Sequence, residues 1–145
     1  MVHTLKLKRN VLVTGKTSRF CKFLKNTNTN LNFIYTDKKN FNILNYRQMN
    51  NFLKNKQIDY LIHVAGLSRP MSIHEKKIDV SIDLNIIGTA NIVKICQRKK
   101  IKLIYLSTNY VYPGNKGNYR EDSPLKPFNN YAWSKLGGEA CVHLY

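Results

Sequence analysis

Short apolar runs alternate with amphipathic segments along most of this chain. Apolar runs over residues 11–15, 31–36, 59–64 and 102–107 predict buried strands. Segments over residues 19–24, 46–56, 81–97 and from 131 to the end predict helices, since their apolar positions follow a helical period. Strands that alternate with helices indicate an α/β fold, with a parallel sheet between two helical layers.

The length and composition indicate one globular domain. The chain has 145 residues, of which 43% are hydrophobic, so residues 1–145 are enough for one core of ordinary size. No stretch approaches the roughly 18 apolar residues of a membrane helix, and residues 1–10 lack the apolar run of a signal peptide. We therefore expect a cytoplasmic protein without membrane association. The three cysteines are widely spaced and odd in number, which predicts reduced thiols.

The formal net charge is +16, with 24 Lys and Arg residues against 8 Asp and Glu residues. Such a charge suits a nucleic acid or a small anionic ligand such as a dinucleotide, and it also accompanies a chain generally rich in Lys and Asn. The cations are dispersed, and no DNA- or RNA-binding motif accompanies them. Nucleic-acid binding is therefore the weakest of these three explanations.

The residues that follow each predicted strand are the first candidates for a binding site. In an open parallel sheet, ligands bind at the carboxyl ends of the strands. The segments at those ends are residues 15–18, Asp37 and Lys38, residues 65–69, and Ser107 with Thr108.

Tyr131 and Lys135 form a Tyr-x-x-x-Lys pair within the last predicted helix. This spacing puts both side chains on one helical face, where an ammonium group stabilises a phenolate. The pair alone is weak evidence, because both residue types are common here. Thr108, at the end of the preceding strand, adds a hydroxyl that can reach the same substrate oxygen, and the combination predicts acid–base chemistry.

Several segments together resemble the extended short-chain dehydrogenase/reductases that act on nucleotide sugars. The resemblance rests on LSTNYVY (106–112), PFNNYAWSKLGGE (127–139), DLNIIGTAN (83–91), DYLIHVAG (59–66) and the turn over residues 11–21. It is closest to the dTDP-4-dehydrorhamnose reductases and related epimerases and dehydratases. It implies a Rossmann-type fold, NADP or NAD as cofactor, and a nucleotide-sugar substrate.

The resemblance also implies roles for individual residues. Tyr131 would exchange a proton with the substrate oxygen, Thr108 would hydrogen-bond that oxygen, and Lys135 would stabilise the phenolate and hold the nicotinamide ribose. Asn85 would shape the helix near the site. The implied cofactor-binding residues are Gly15, Thr17, Ser18, Arg19, Asp37, Lys38, Ala65, Gly66, Ser107, Tyr131 and Lys135.

The glycine turn departs from the family pattern. Gly15 is present, but Ser18 and Cys21 replace the second and third glycines, which normally allow close approach of the pyrophosphate and of the helix. This change leaves weakened cofactor binding, and hence a non-catalytic binding module, as an alternative. Asp37 suits the ribose of NAD, whereas Lys38 and Lys39 suit the 2′-phosphate of NADP, so the choice stays open.

Two further expectations concern the histidines and the end of the chain. His63 is expected to be packed and hydrogen-bonded within a strand, His74 to lie in an exposed segment, and no metal site is expected. Family members continue beyond the Tyr131 helix, so a substrate-binding part is expected to be missing. A homodimer or a partner that completes the fold is expected to cover the exposed apolar surface.

Overall fold

One parallel sheet organises the molecule. The computed structural model describes residues 8–145; the first seven residues of the predicted domain lie outside this range. Its strands are β1 (Asn10–Thr14), β2 (Asn32–Thr36), β3 (Tyr60–His63) and β4 (Lys102–Tyr105). Their spatial order is β2-β1-β3-β4, and all neighbours are parallel. β2 therefore lies on one side of β1, and β3 lies on the other side. Because the strand order reverses between β1 and β3, a crevice is left between the ends of these two strands.

Helices connect the strands and follow the last one. They are α1 (Arg19–Lys25), α2 (Tyr46–Phe52), α3 (Ser72–Lys76), α4 (Ile78–Ile82), a π-helical segment (Asp83–Ile87), α5 (Gly88–Lys99) and α6 (Asn130–His143). A short 3₁₀ turn (Asn109–Val111) lies between β4 and α6. This arrangement confirms the predicted α/β, Rossmann-type architecture.

Apolar side chains from the central strand alternate between two cores. Leu12 faces a large cluster that includes Met49 of α2 and Ile92 of α5. Val11 and Val13 point to the other face, where a smaller cluster contains Cys21 of α1. Because successive side chains of a strand point to opposite faces, β1 contributes to both layers and is buried throughout its apolar part.

The structure corrects several predicted boundaries. The helix predicted over residues 81–97 begins earlier, as α4, and passes through the π-helical segment into α5. α3 was not predicted, because its five residues are too few to show a period. α2 ends at Phe52, since the polar residues 54–57 have no apolar side chain to bury. β4 ends at Tyr105, opposite His63, where its neighbour β3 also ends.

Some large apolar side chains remain exposed beside β4 and α6. Ile104 is 47% exposed, Trp133 is 57% exposed and Leu144 is 88% exposed. Each of these three side chains is exposed; the continuous apolar surface expected from the sequence stays a prediction. Within residues 8–145, none of the helices combines the length and the apolar character needed to span a bilayer.

Candidate functional site

A cleft of about 240 Å³ opens at the crevice between the ends of β1 and β3. Its walls come from the segments that follow three of the strands, as expected for a sheet whose strand order reverses at this point. Six predicted cofactor-binding residues line it: Gly15, Thr17, Asp37, Lys38, Ala65 and Gly66. Phe41, Asn42, Ile43 and Leu84 complete the lining.

The turn after β1 keeps a close backbone approach although two expected glycines are missing. Gly15 has φ +75°, and a Cβ at this position would lie 3.0 Å from the Ala65 nitrogen. Ser18 begins α1, where its hydroxyl accepts a hydrogen bond from the Cys21 nitrogen at 3.1 Å. Cys21 is fully buried against β1. Ser18 and Cys21 therefore act as a helix cap and a small core residue, which keeps the turn tight.

A buried chain of hydrogen bonds lies behind the cleft. The Thr14 hydroxyl accepts from the backbone nitrogens of Val64 and Ala65, both at 3.0 Å, so its own proton is free for His63 Nδ1 at 3.0 Å. His63 Nε2 then donates to the Thr89 hydroxyl at 3.2 Å. This order requires a neutral imidazole with its proton on Nε2, and burial lowers the pKa of His63 to about 3. The expectation of a packed, hydrogen-bonded His63 is confirmed.

The carboxylate of Asp37 is held by its neighbours at the cleft. Lys16 Nζ lies 2.6 Å from Asp37 Oδ2, and Asp37 Oδ1 accepts a hydrogen bond from the Lys39 nitrogen at 2.9 Å. These bonds, that from Lys16 first, lower the pKa of Asp37 below its ordinary value. Asp37 is therefore an ionised group whose charge is partly neutralised.

Helix α6 presents Tyr131 and Lys135 to the segment that follows β4. Asn129 caps the helix by accepting a hydrogen bond from the Ala132 nitrogen at 2.8 Å. Lys135 Nζ donates to the Leu106 carbonyl at 2.7 Å and lies 4.1 Å from the centre of the Tyr105 ring. Burial lowers the pKa of Lys135 to about 8. A buried ammonium is thus fixed at the backbone of Leu106, the residue before Ser107.

Aromatic side chains surround Tyr131. Its ring centre lies 6.0 Å from that of Tyr110, nearly edge-on, and 5.0 Å from that of His74. Thr108, two residues before Tyr110, accepts a hydrogen bond from the Tyr110 nitrogen at 3.3 Å. The Tyr131–Lys135 face of α6 therefore lies against the segment that carries Ser107 and Thr108. Ser18, Arg19, Ser107, Thr108, Tyr131 and Lys135 are outside the lining of the cleft.

Gly138 lets α6 approach the rest of the site. A Cβ on Gly138 would lie 2.5 Å from the Tyr105 hydroxyl and 2.7 Å from the Asn85 carbonyl oxygen. No side chain fits at these distances, so the position needs glycine for its close approach. The close packing of α6 against Tyr105 and Asn85 depends on Gly138. The position of Lys135, one turn earlier in α6, depends on the same packing.

Asn85 connects the cleft to α6 through its side chain. Its Oδ1 accepts from the Leu67 nitrogen at 2.7 Å, and its Nδ2 donates to the Leu67 carbonyl at 2.9 Å and to the Ser134 hydroxyl at 2.8 Å. Ser134 in turn donates to the Tyr131 carbonyl at 2.8 Å. The sequence predicted only that Asn85 shapes the helix. The larger network depends on its contacts with Leu67 and Ser134, which are distant in sequence.

The expectation for His74 was wrong. The residue is fully buried, and its Nδ1 lies 2.7 Å from the Ser81 hydroxyl. The adjacent Glu75 misled the prediction, because Glu75 is exposed and accepts a hydrogen bond from Asn130 at 2.7 Å. α3 turns its His74 side inward, against Tyr131.

Residues 9–145 match the family model described as the RmlD substrate binding domain. The chain belongs to this family. The match covers nearly all of the sequence and confirms the resemblance to the extended reductases and epimerases.

Proteins similar to this chain match different lengths of it. The dTDP-4-dehydrorhamnose reductase of Bacillus anthracis str. Ames, solved in complex with NADP, superposes with a TM-score of 0.88 at 30% identity over 95% of this chain and 50% of that one. The ADP-L-glycero-D-manno-heptose-6-epimerase of Brachyspira hyodysenteriae is 35% identical over 102 residues, or 70% of this chain and 30% of that protein.

A third relative is named as a subunit of an adenosyltransferase, not as a reductase or an epimerase. The methionine adenosyltransferase 2 subunit beta of Xenopus laevis is 38% identical over 82 residues, or 57% of this chain and 24% of that protein. This chain therefore spans half of the solved reductase and less than a third of the two curated relatives.

Proposed function

We propose that this chain is the nucleotide-binding part of an NAD(P)-dependent reductase or epimerase that acts on a nucleotide sugar. The observation that carries the proposal is the contact of Lys135 Nζ with the Leu106 carbonyl at 2.7 Å. It brings the Tyr131 helix and the Thr108 segment to the same edge of the sheet. That edge also contains the cleft lined by Gly15 and Asp37.

The cleft has the chemistry of a dinucleotide site. Gly15 and Ala65 bring two backbone segments close together, and Asp37 and Lys38 supply charged groups suited to an adenosine ribose or its phosphate. The cleft volume of about 240 Å³ is below the range typical of whole small-molecule sites, which suits the adenosine half. A nicotinamide dinucleotide, when bound, would supply or accept the hydride.

The protein would supply the proton and the alignment. Tyr131 exchanges the proton of the substrate oxygen, Thr108 donates a hydrogen bond to that oxygen, and Lys135 stabilises the phenolate. A pKa of about 8 leaves most Lys135 side chains protonated at neutral pH. The hydrogen bond to Leu106 fixes the ammonium, so that little reorganisation is needed during the reaction.

Turnover of NADPH with dTDP-4-dehydrorhamnose or a related nucleotide sugar tests the proposal. Tyr131→Phe should keep the fold and dinucleotide binding but lower kcat by about 10²- to 10⁴-fold, the usual contribution of a positioned acid. Tyr46→Phe, a matched loss of one phenol oxygen on α2, should retain activity. Measurable turnover that is equal in Tyr131→Phe and the unmodified chain would end the catalytic assignment.

The second candidate function is a dinucleotide-binding subunit without catalysis. The relative that is named as a subunit of an adenosyltransferase favours it. It predicts saturable binding of NADPH or NADH without turnover of any nucleotide sugar. Turnover that depends on Tyr131 would exclude it.

We also propose that the exposed apolar side chains beside β4 and α6 are covered in solution, by a second copy or by a partner that completes the fold. Ile104 and Trp133 support this proposal because each leaves about half of its surface exposed. Light scattering should detect self-association of the isolated chain. A stable, monodisperse monomer would contradict this part of the proposal.

A further inference from the structure

The ion pair between Lys16 and Asp37 bears on the choice between the two dinucleotides. Lys16 directly follows Gly15, and Asp37 directly follows β2, so the pair joins two adjacent segments at the cleft. The backbone nitrogen of Lys16 donates to the Thr36 carbonyl at 2.9 Å, and Thr36 is fully buried. This bond fixes the backbone of Lys16 beside Asp37, so the ion pair is preorganised.

A free carboxylate in this position favours NAD over NADP. It accepts a hydrogen bond from the 2′-hydroxyl of the adenosine ribose, and it repels a 2′-phosphate, which carries nearly two negative charges. Here both carboxylate oxygens of Asp37 are engaged. Oδ2 pairs with Lys16 at 2.6 Å, and Oδ1 accepts from the Lys39 nitrogen at 2.9 Å. The repulsion that would exclude a 2′-phosphate is therefore reduced.

The remaining charges near Asp37 are positive. Lys38 lines the cleft, Lys39 is the next residue, and both side chains are exposed. Of the three lysines, Lys16 is the one whose ammonium pairs with the carboxylate, and Lys38 and Lys39 are its neighbours in sequence. Such a group of cations can accept a 2′-phosphate through charge-assisted hydrogen bonds. The two exposed lysines are screened by salt more than the half-buried Lys16, so Lys16 is the member whose effect on Asp37 persists.

We propose that Lys16 determines the dinucleotide specificity by neutralising Asp37, so that the cleft prefers NADP(H) to NAD(H). This inference rests on the proposed function, because it requires that the cleft binds the adenosine end of a dinucleotide. In this proposal, Lys16 of the glycine turn sets the specificity through its effect on Asp37, the residue that follows β2.

Calorimetric titration with NADPH and NADH, at about 0.15 M salt, tests the inference through the ratio of the two dissociation constants. The unmodified chain should bind NADPH at least tenfold more tightly than NADH. Lys16→Met should reduce this preference at least tenfold, since it removes a cation and frees the Asp37 charge. Lys22→Met, which removes one exposed lysine from α1, should leave the ratio unchanged.

The double variant separates neutralisation of Asp37 from direct phosphate binding by Lys16. In the Asp37→Asn background, Lys16→Met should change the ratio much less than it does alone, because no carboxylate remains to be neutralised. An equal effect in both backgrounds would overturn the proposed neutralisation. Circular dichroism and thermal melting of each variant would verify that the fold is retained.

The outcomes distinguish this inference from the proposed function. If both dinucleotides bind and Lys16→Met leaves their ratio unchanged, the inference is wrong and the dinucleotide site stands. A preference of the unmodified chain for NADH would also overturn the inference alone. Absence of binding of either dinucleotide at millimolar concentration would overturn both.

Discussion

Replacement of Lys135 by Met should make the stability of the protein less dependent on pH. Burial lowers the pKa of the Lys135 ammonium from 10.5 to about 8, and the residue is only 9% exposed. Between these two values the unfolded chain binds more protons than the folded one. The free energy of unfolding therefore rises as the pH increases through this window, because the folded protein no longer carries a buried charge. Met keeps the length of the side chain and cannot titrate.

The size of the effect follows from the pKa shift. The lowered pKa means that the protonated Lys135 side chain reduces the free energy of unfolding by about 3 kcal/mol. About 2.5 kcal/mol of this reduction is lost between pH 7 and pH 10, as the side chain loses its proton. Met also removes the hydrogen bond to the Leu106 carbonyl, which is worth about 1.5–3 kcal/mol for a charged donor. These terms nearly cancel at neutral pH. The dependence on pH is therefore a clearer readout than the stability at any single pH.

Urea unfolding at several pH values from 7 to 10 measures this dependence. The difference in unfolding free energy between the unmodified chain and Lys135→Met should change by about 2.5 kcal/mol over this range, in favour of the unmodified chain at high pH. Lys94→Met, an exposed lysine on α5, serves as the matched control and should give no such change. Parallel curves for the unmodified chain and Lys135→Met would refute the argument that the ammonium is buried.

Three further predictions concern the supports of the site. Gly138→Ala should lower the unfolding free energy by about 1–3 kcal/mol, because its Cβ would collide with the Tyr105 hydroxyl; an unchanged urea midpoint would contradict the close packing of α6. Asn85→Ala should cost about 2–3 kcal/mol in the same assay, since it leaves both backbone groups of Leu67 without their partner. The pKa of His63 is lowered to about 3 by burial, so stability should fall by about 3–5 kcal/mol from pH 6.5 towards pH 3, and His63→Phe should remove this loss.

The central part of the fold could be predicted because buried parallel strands have a strong local signal. The runs that became β1 and β3 are apolar and short, and each leads into a segment that contains a glycine, so their existence was clear. The ends of the elements depend on neighbours that are distant in sequence. β4 ends where β3 ends, and the buried side chain of α3 is His74, which packs against Ser81 and Tyr131.

The site was predictable at the level of segments but not of contacts. The strand-end rule identified Gly15, Asp37 and Ala65, which line one cleft. The pairing of Lys16 with Asp37 and the bridge from Asn85 to Leu67 depend on the spatial order of the strands and on the π-helical segment. Local periodicity contains no information about either feature.

Binding of NADPH at the cleft between β1 and β3 is the most direct test of the account. Calorimetric titration should give saturable binding that Thr17→Glu weakens at least tenfold, because Thr17 lines the cleft and the new carboxylate would repel a bound pyrophosphate. Asn28→Glu, which adds the same charge in an exposed turn, should bind like the unmodified chain. Binding that is equally strong in Thr17→Glu, or absent for both NADPH and NADH, would contradict the account.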